Sequence, residues 1–323
     1  MSQPMFEKLA LIGLGLIGSS ISHAARRGGL VGTISGAARS AETCTTALQI
    51  GLVDSVFEDP AEAVEGADLV ILCVPVGSCG PVAAQISGAL RPGAIISDAG
   101  SVKGSVVADV APHLPGNVHF VPGHPIAGSE HSGPESGFAE LFDGRWTILT
   151  PVAGTPDEPV RRLKLFWEQL GSNVDVMAPD HHDMVLAITS HLPHLIAYNI
   201  VNTANHLERI ADAEVIKYSA GGFRDFTRIA ASDPTMWRDV FLNNKEAVLE
   251  MLGRFNEDLT NLQRAIRYGD GDELFKLFSD ARHVRREIVE AGQDIDAPDF
   301  GRQAAVLTDA TEKSADDAGG DAH

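Results

Sequence analysis

The most constraining stretch lies near the start of the chain. An apolar run, Lys8-Leu9-Ala10-Leu11-Ile12, passes directly into Gly13-Leu14-Gly15-Leu16-Ile17-Gly18, and then into a helical pattern through Ile21, Ala24 and Ala25. A bare G-x-G-x-x-G says little, but between a strand and a helix each glycine has a task. Gly13 makes the tight turn, Gly15 leaves the backbone open to a pyrophosphate, and Gly18 lets the helix pack close to the strand. The helix start then faces the phosphates with its unpaired N–H groups. Gly13, Leu14, Gly15, Leu16, Ile17 and Gly18 are therefore candidate cofactor-binding residues.

Downstream, the alternation of strand and helix repeats. Gly32–Ser35 reads as a second strand, 41–50 as a helix, Asp68–Val76 as a buried strand, 82–90 as a helix and Ala94–Asp98 as another strand. Strands apolar on both faces, alternating with helices, call for an α/β, Rossmann-like, doubly wound parallel sheet with right-handed crossovers. Such sheets bind ligands in the loops beyond the carboxyl ends of their strands. Those loops are Gly13–Gly18, Val74-Pro75-Val76-Gly77, Asp98–Lys103 and Val121–Glu130, so Val74 and Pro75 join the cofactor candidates. An acid is expected after the second strand to hold the ribose 2′-hydroxyl of NAD. The run Ser35-Gly36-Ala37-Ala38-Arg39-Ser40 contains none before Glu42, and Arg39 could instead meet the 2′-phosphate of NADP. The cofactor is thus NAD or NADP.

The loop Val121-Pro122-Gly123-His124-Pro125-Ile126-Ala127-Gly128-Ser129-Glu130 sets one histidine between a glycine and a proline. Pro125 biases His124 away from helix, which places the imidazole on an extended turn. Ser101 reads as the N-cap of a helix over 103–110 and can still offer its hydroxyl to a ligand. Strands at 145–150 and 174–177 close the first half. After Pro179 come long amphipathic helices at 185–207, 246–265 and 274–291, the first kinked by Pro193. The expected organisation is a dinucleotide-binding domain over 1–178, an all-α substrate and dimerisation domain over 179–301, and a disordered acidic tail over 302–323.

Composition narrows the partners. A formal net charge of −19 argues against nucleic acid and anionic membranes, while a few convergent arginines can still receive an anionic small molecule. No uninterrupted apolar run of about 18 residues is present, so no membrane span is expected. The three cysteines, Cys44, Cys73 and Cys79, form no C-x-x-C, which suggests a reducing cytoplasm and neither a disulfide framework nor a zinc site.

With these pieces laid out, the chain resembles the prephenate/arogenate (cyclohexadienyl) dehydrogenase family of tyrosine biosynthesis. The matching motifs are Gly13–Gly18, Asp98-Ala99-Gly100-Ser101-Val102-Lys103-Gly104, Gly123-His124-Pro125-Ile126-Ala127-Gly128, Ser190-His191-Leu192-Pro193-His194, Gly221–Ala230 and Ser232-Asp233-Pro234-Thr235-Met236-Trp237. They occur in the family's order over about residues 8 to 290 and resemble its short monofunctional form. No chorismate-mutase helix is expected before them, and no regulatory module after them. The resemblance implies oxidative decarboxylation of prephenate, arogenate or both, with hydride passing to NAD or NADP. It also implies a homodimer joined through the helical half. His124 would be base or hydrogen-bond acceptor for the ring hydroxyl, and Ser101 would orient that hydroxyl. His194 and Arg228 match positions that hold the substrate's anionic groups. His191, Trp237, Ser129 and Glu130 complete the substrate candidates; for Arg228 the alternative is a surface arginine paired with Asp225. No metal is expected. A hydroxyacid dehydrogenase using Lys217 or Lys245, a non-catalytic nucleotide-binding dimer, and a metal hydrolase with His181, His182, His191 and His194 as ligands are the rival readings.

Overall fold

The computed structural model describes residues 3–128, 131–211 and 217–290. Ser129, Glu130 and the segment 302–323 lie outside the described residues. Six parallel strands, β1 (Phe6–Ile12), β2 (Val31–Ala37), β3 (Ser55–Phe57), β4 (Leu69–Leu72), β5 (Ile95–Asp98) and β6 (His119–Phe120), stand in the order 3-2-1-4-5-6. They are linked by α1 (Leu16–Arg27), α2 (Ala41–Gln49), α3 (Pro60–Val64), α4 (Cys79–Ile86) and α5 (Gly104–Val110). The order reverses beside β1, which opens a crevice at the carboxyl ends of β1 and β4.

Strand alternation sends Leu9, Leu11, Ile71 and Ile95 into one core, with Ile21, Leu163, Phe166 and Trp167. Ala10, Ile12, Val70, Leu72 and Ile96 enter the other, with Ala83, Val106 and Val110. Polar side chains start several helices. Ser40 accepts from the Thr43 N–H at 3.3 Å and Asp59 from the Ala61 N–H at 2.9 Å, with Pro60 at the first helical position.

A second sheet departs from the pattern expected of the sequence. β7 (Gly123–Pro125), β8 (Trp146–Leu149) and β9 (Asn173–Val176) form it, with β7 antiparallel and β9 parallel to β8; α6 (Asp157–Gln169) lies between β8 and β9 in sequence. The expected turn at His124 is therefore a strand, with His124 opposite Ile148. Pro125 supplies the extended bias. The ladder then continues through Ile126 N–H to the Trp146 carbonyl at 2.7 Å and Thr150 N–H to the Pro122 carbonyl at 2.8 Å.

The remainder is helical: α7 (Pro179–Leu186), a π turn (Ala187–His191), α8 (Leu192–Ala211), α9 (Gly221–Thr227), a tight turn over Arg228–Ala231, α10 (Pro234–Asn243), α11 (Lys245–Tyr268) and α12 (Gly271–Glu290). The helix expected at 185–207 begins earlier, and the irregularity precedes Pro193. Proline offers no N–H and crowds the carbonyl four residues back, so the preceding turn widens instead of continuing as α-helix. Trp237 and Val240 of α10 enter the second core of the sheet.

The chain divides into two compact units, Met1–Gly253 and Arg254–His323. In the second, Gly269 (φ 69°) ends α11, and the Asp270 carboxylate caps α12 by accepting from the Glu273 N–H at 3.1 Å. Pro179–Leu207, taken through the π turn, is long and apolar enough to cross a membrane by length and composition. Its inner side buries His182, Asp183 and His191, while Ile188, Ile200, Val201 and Leu207 are exposed.

Candidate active site

The crevice beside β1 is built from backbone. Gly13 has φ of 103°, and a Cβ there would overlap the Cys73 carbonyl; a Cβ at Gly18 would overlap the carbonyl of Gly13. At Gly15 a Cβ would meet nothing within 4 Å. Two glycines thus serve close packing, and the middle one leaves open space at the start of α1. Gly15 makes no side-chain cap bond, and no acid occupies the first turn of α1, so the helix start presents N–H donors and positive partial charge to that space. These features fit a dinucleotide pyrophosphate. Leu14 is buried in the core, whereas Leu16 and Ile17 are half-buried. Half-buried Val74 and exposed Pro75 follow β4 on the same rim. Arg39 is exposed just past β2, beside the Ser40 cap.

Beyond β5 and β6 side chains take over. Lys103 is fully buried; its ammonium bonds the Asp98 carboxylate and the Gly123 carbonyl, the latter at 2.7 Å. Asp98 also accepts from Gly100 N–H at 2.8 Å and Gly123 N–H at 3.2 Å. One ion pair therefore ties the β5 loop to the start of β7, which carries His124. Ser101 does not cap α5. The Asp183 carboxylate of α7, some 80 residues away, accepts the Lys103 and Gly104 N–H groups, both at 2.8 Å. The carboxylate offers a separate, charged oxygen to each donor, Oδ1 to Lys103 and Oδ2 to Gly104.

The same carboxylate accepts from His182 Nδ1 at 2.8 Å, and His182 Nε2 meets His124 Nδ1 at 2.8 Å. The tautomers follow from the acceptors. A carboxylate only accepts, so His182 carries its proton on Nδ1 and leaves Nε2 bare. His124 must then donate from Nδ1, which leaves its own Nε2 as a lone pair. Burial, reinforced by the charges of His182, Lys103 and His191, holds the His124 pKa well below the ordinary imidazole value. His182 is also lowered, chiefly by burial and against its bond to Asp183. At neutral pH His124 is a neutral ring able to accept a proton.

The π turn brings His191 to the same place. It is fully buried, its Nδ1 meets Asn244 Nδ2 at 3.0 Å, and Asn244 also donates to the Asp183 carbonyl at 2.8 Å. Its Nε2 lies toward the Ser101 backbone without a hydrogen bond, and burial lowers its pKa to about 4. His194 is half-buried and donates from Nδ1 to the Ser190 carbonyl at 2.8 Å, leaving Nε2 open. Burial lowers its pKa, the Ser190 bond opposes, and the Arg228 charge lowers it further. Trp237 stacks on His194 at 3.7 Å and meets His191 edge-on at 6.0 Å. Arg228 is exposed, within electrostatic reach of His194, and among the described residues no ion pair joins it to Asp225.

The structure thus gathers His124, Ser101, His191, His194 and Trp237 around the end of β5 and the π turn. Sequence reasoning misses Lys103, Asp98, Asp183 and Asn244 as supports and weighs His182 only as a metal ligand. His181, its supposed companion, is exposed while His182 is buried. The one available signal is Asp183 beside His182 at the head of a helix.

Relatives give this arrangement a lineage. Residues 21–176 match the family model for the prephenate dehydrogenase nucleotide-binding domain, and 178–280 match that for the prephenate dehydrogenase dimerization domain. A cyclohexadienyl dehydrogenase of Zymomonas mobilis is 43% identical over 281 residues, 87% of this chain and 96% of that protein. The chain belongs to the prephenate dehydrogenase family. Among solved structures, the prephenate dehydrogenase of A. aeolicus in complex with hydroxyphenyl propionate and NAD+ is 36% identical with a TM-score of 0.82, over 89% of this chain and 99% of that one. The arogenate dehydrogenase of Synechocystis is 28% identical with a TM-score of 0.74, over 87% of this chain and 99% of that one. As a member of this family the chain is a nicotinamide-dependent dehydrogenase of tyrosine biosynthesis, and its Rossmann-like half carries the family's nucleotide site.

Proposed function

We propose that this chain oxidatively decarboxylates prephenate, arogenate or both, with NAD or NADP as oxidant. The observation that carries the reading is a buried, neutral His124 with a free Nε2, on the rim that also carries the glycine cradle. Gly13–Gly18, with Val74 and Pro75, would hold the dinucleotide, which when bound accepts hydride from the hydroxyl-bearing ring carbon. As that hydride leaves, His124 takes the hydroxyl proton; the ring carboxylate departs as carbon dioxide, and the same proton returns to the oxygen of the newly aromatic ring. Ser101 orients that hydroxyl. Arg228 receives one substrate carboxylate through charge-assisted bonds, and His194 meets the other as an imidazolium that takes up a proton at Nε2 as the anion binds. His191 and Trp237 wall the pocket, and Ser129 and Glu130 follow His124 in sequence where they could sense the side chain.

Cofactor choice and assembly extend the same reading. β2 ends without an acid and exposed Arg39 follows, which supports use of NADP. Exposed apolar residues on α8 and α12, Ile200, Val201, Leu207, Phe275 and Phe278 among them, support a homodimer through the helical half, as does the dimerization-domain match. The free cysteines suit a cytoplasmic enzyme. Crossing prephenate and arogenate against NAD and NADP, read at the reduced-nicotinamide band, tests both specificities. Silence in all four pairs from folded protein would overturn the dehydrogenase reading. A monomeric mass by light scattering at micromolar concentration would overturn the dimer.

A further inference from the structure

We propose that His182 and Asp183 are positioning residues for His124, setting which of its ring nitrogens can take the substrate proton. The inference rests on the reading of His124 as base and adds what makes it one. Two contacts fix the arrangement independently. If His124 carried its proton on Nε2, its bare Nδ1 would face the bare Nε2 of His182 at 2.8 Å. Moving the His182 proton to relieve that clash would set a bare Nδ1 against the Asp183 carboxylate, also at 2.8 Å. Either change places two lone pairs at hydrogen-bond distance in a buried site.

Charge follows the same path. Lys103 pairs with Asp98, whereas the side-chain partner of Asp183 among the described residues is His182; its remaining partners are backbone N–H groups. When the substrate O–H bond breaks and an N–H bond forms at His124 Nε2, the new positive charge arises one imidazole away from that carboxylate. The Nδ1–H then donates more strongly to His182, and no further proton need move. Asp183 holds its place because the start of α5 grips both of its oxygens. A pair of buried histidines kept only for packing would need no such chain of donors.

The test separates this inference from the function it builds on. In protein with 15N-labelled histidine, at about pH 8 where the rings are neutral, two-bond correlation spectra should show His124 protonated at Nδ1. His182→Leu should release that tautomer and lower kcat by about 10²-fold, with KM values for substrate and dinucleotide changed by no more than about threefold. His182→Gln, whose amide oxygen can still accept from His124 Nδ1, should recover most of the loss. An Nε2–H tautomer in active wild-type protein, unchanged turnover in His182→Leu, or no difference between the Leu and Gln variants overturns the inference. Should His182→Leu fail to fold, the wild-type tautomer decides alone. Wild-type protein inert with every substrate and dinucleotide overturns the dehydrogenase reading instead.

Discussion

The dinucleotide cradle follows β1, the histidine cluster gathers beyond β5 and β6, and the two are built by opposite means. The cradle is local and made of backbone: six consecutive residues, a positive φ at Gly13, and a helix start left bare. The cluster is non-local, joining side chains from the β5 loop, β7, α7, the π turn and the residue after α10. In the cradle, chemistry comes from withholding side chains. In the cluster it comes from satisfying buried polar groups one against another, so that removing a member leaves its neighbour unpaired. The first site should therefore tolerate change wherever space is open, and the second should tolerate little.

The strongest challenge to that contrast is His124→Asn. Turnover should fall on the order of 10³-fold while dinucleotide affinity, followed by fluorescence titration, stays at the wild-type value. Near-normal turnover would remove His124 from the mechanism. Next is Lys103→Met, which leaves Asp98 buried without its cation and should destabilise the fold by about 3–5 kcal/mol, read from the urea midpoint. Adding Asp98→Leu should recover part of that loss, and no recovery would mean that the ion pair is not the unit at stake.

Acid should act on the cluster and spare the cradle. The folded-state pKa of His191 lies at about 4, below the unfolded imidazole value near 6.5. Unfolded protein therefore binds the extra proton first, and stability present above about pH 6.5 is lost as pH falls toward 4, by about 3 kcal/mol for this ring alone. His124 and His182 shift in the same direction and add to it. Denaturant midpoints across this range measure the slope, and His191→Leu should flatten it. A profile already flat in wild type would mean that these rings are charged when folded.

The mildest comparison lies inside the cradle. Gly18→Ala pushes a methyl into the Gly13 carbonyl and should destabilise by about 1–3 kcal/mol. Gly15→Ala, facing open space, should leave the unfolding midpoint nearly unchanged and weaken dinucleotide binding. Equal loss of stability in both would show that the glycines do not divide these roles.

The same contrast explains what can be read from the chain alone. The cradle, the buried runs of β1, β4 and β5 and the helices after Pro179 declare themselves within windows of a dozen residues. β3 and α3 are too short to show a period, and β7 is a strand only because β8 lies across from it. His124, Ser101, His191, His194 and Trp237 stand out through motifs, and the structure draws them together. Asp183 as the cap of α5, and His182 as the partner of His124, depend on contacts across 58 to 80 positions, which no local pattern encodes. Lys103 reads as a loop lysine because nothing nearby in sequence announces that Asp98 and Gly123 will bury it.

The cap that Asp183 lends to α5 also bears on inheritance. Lys103 and Gly104 belong to the cofactor half, yet the acceptor for their N–H groups arrives with the helices. A cut at residue 178 would separate the two, so the nucleotide half expressed alone would lack the anchor for one of its own helix starts. A recombination event that replaced the helical half would have to bring an acid to the same spot. The helical half thus completes a helix start that the nucleotide half leaves open.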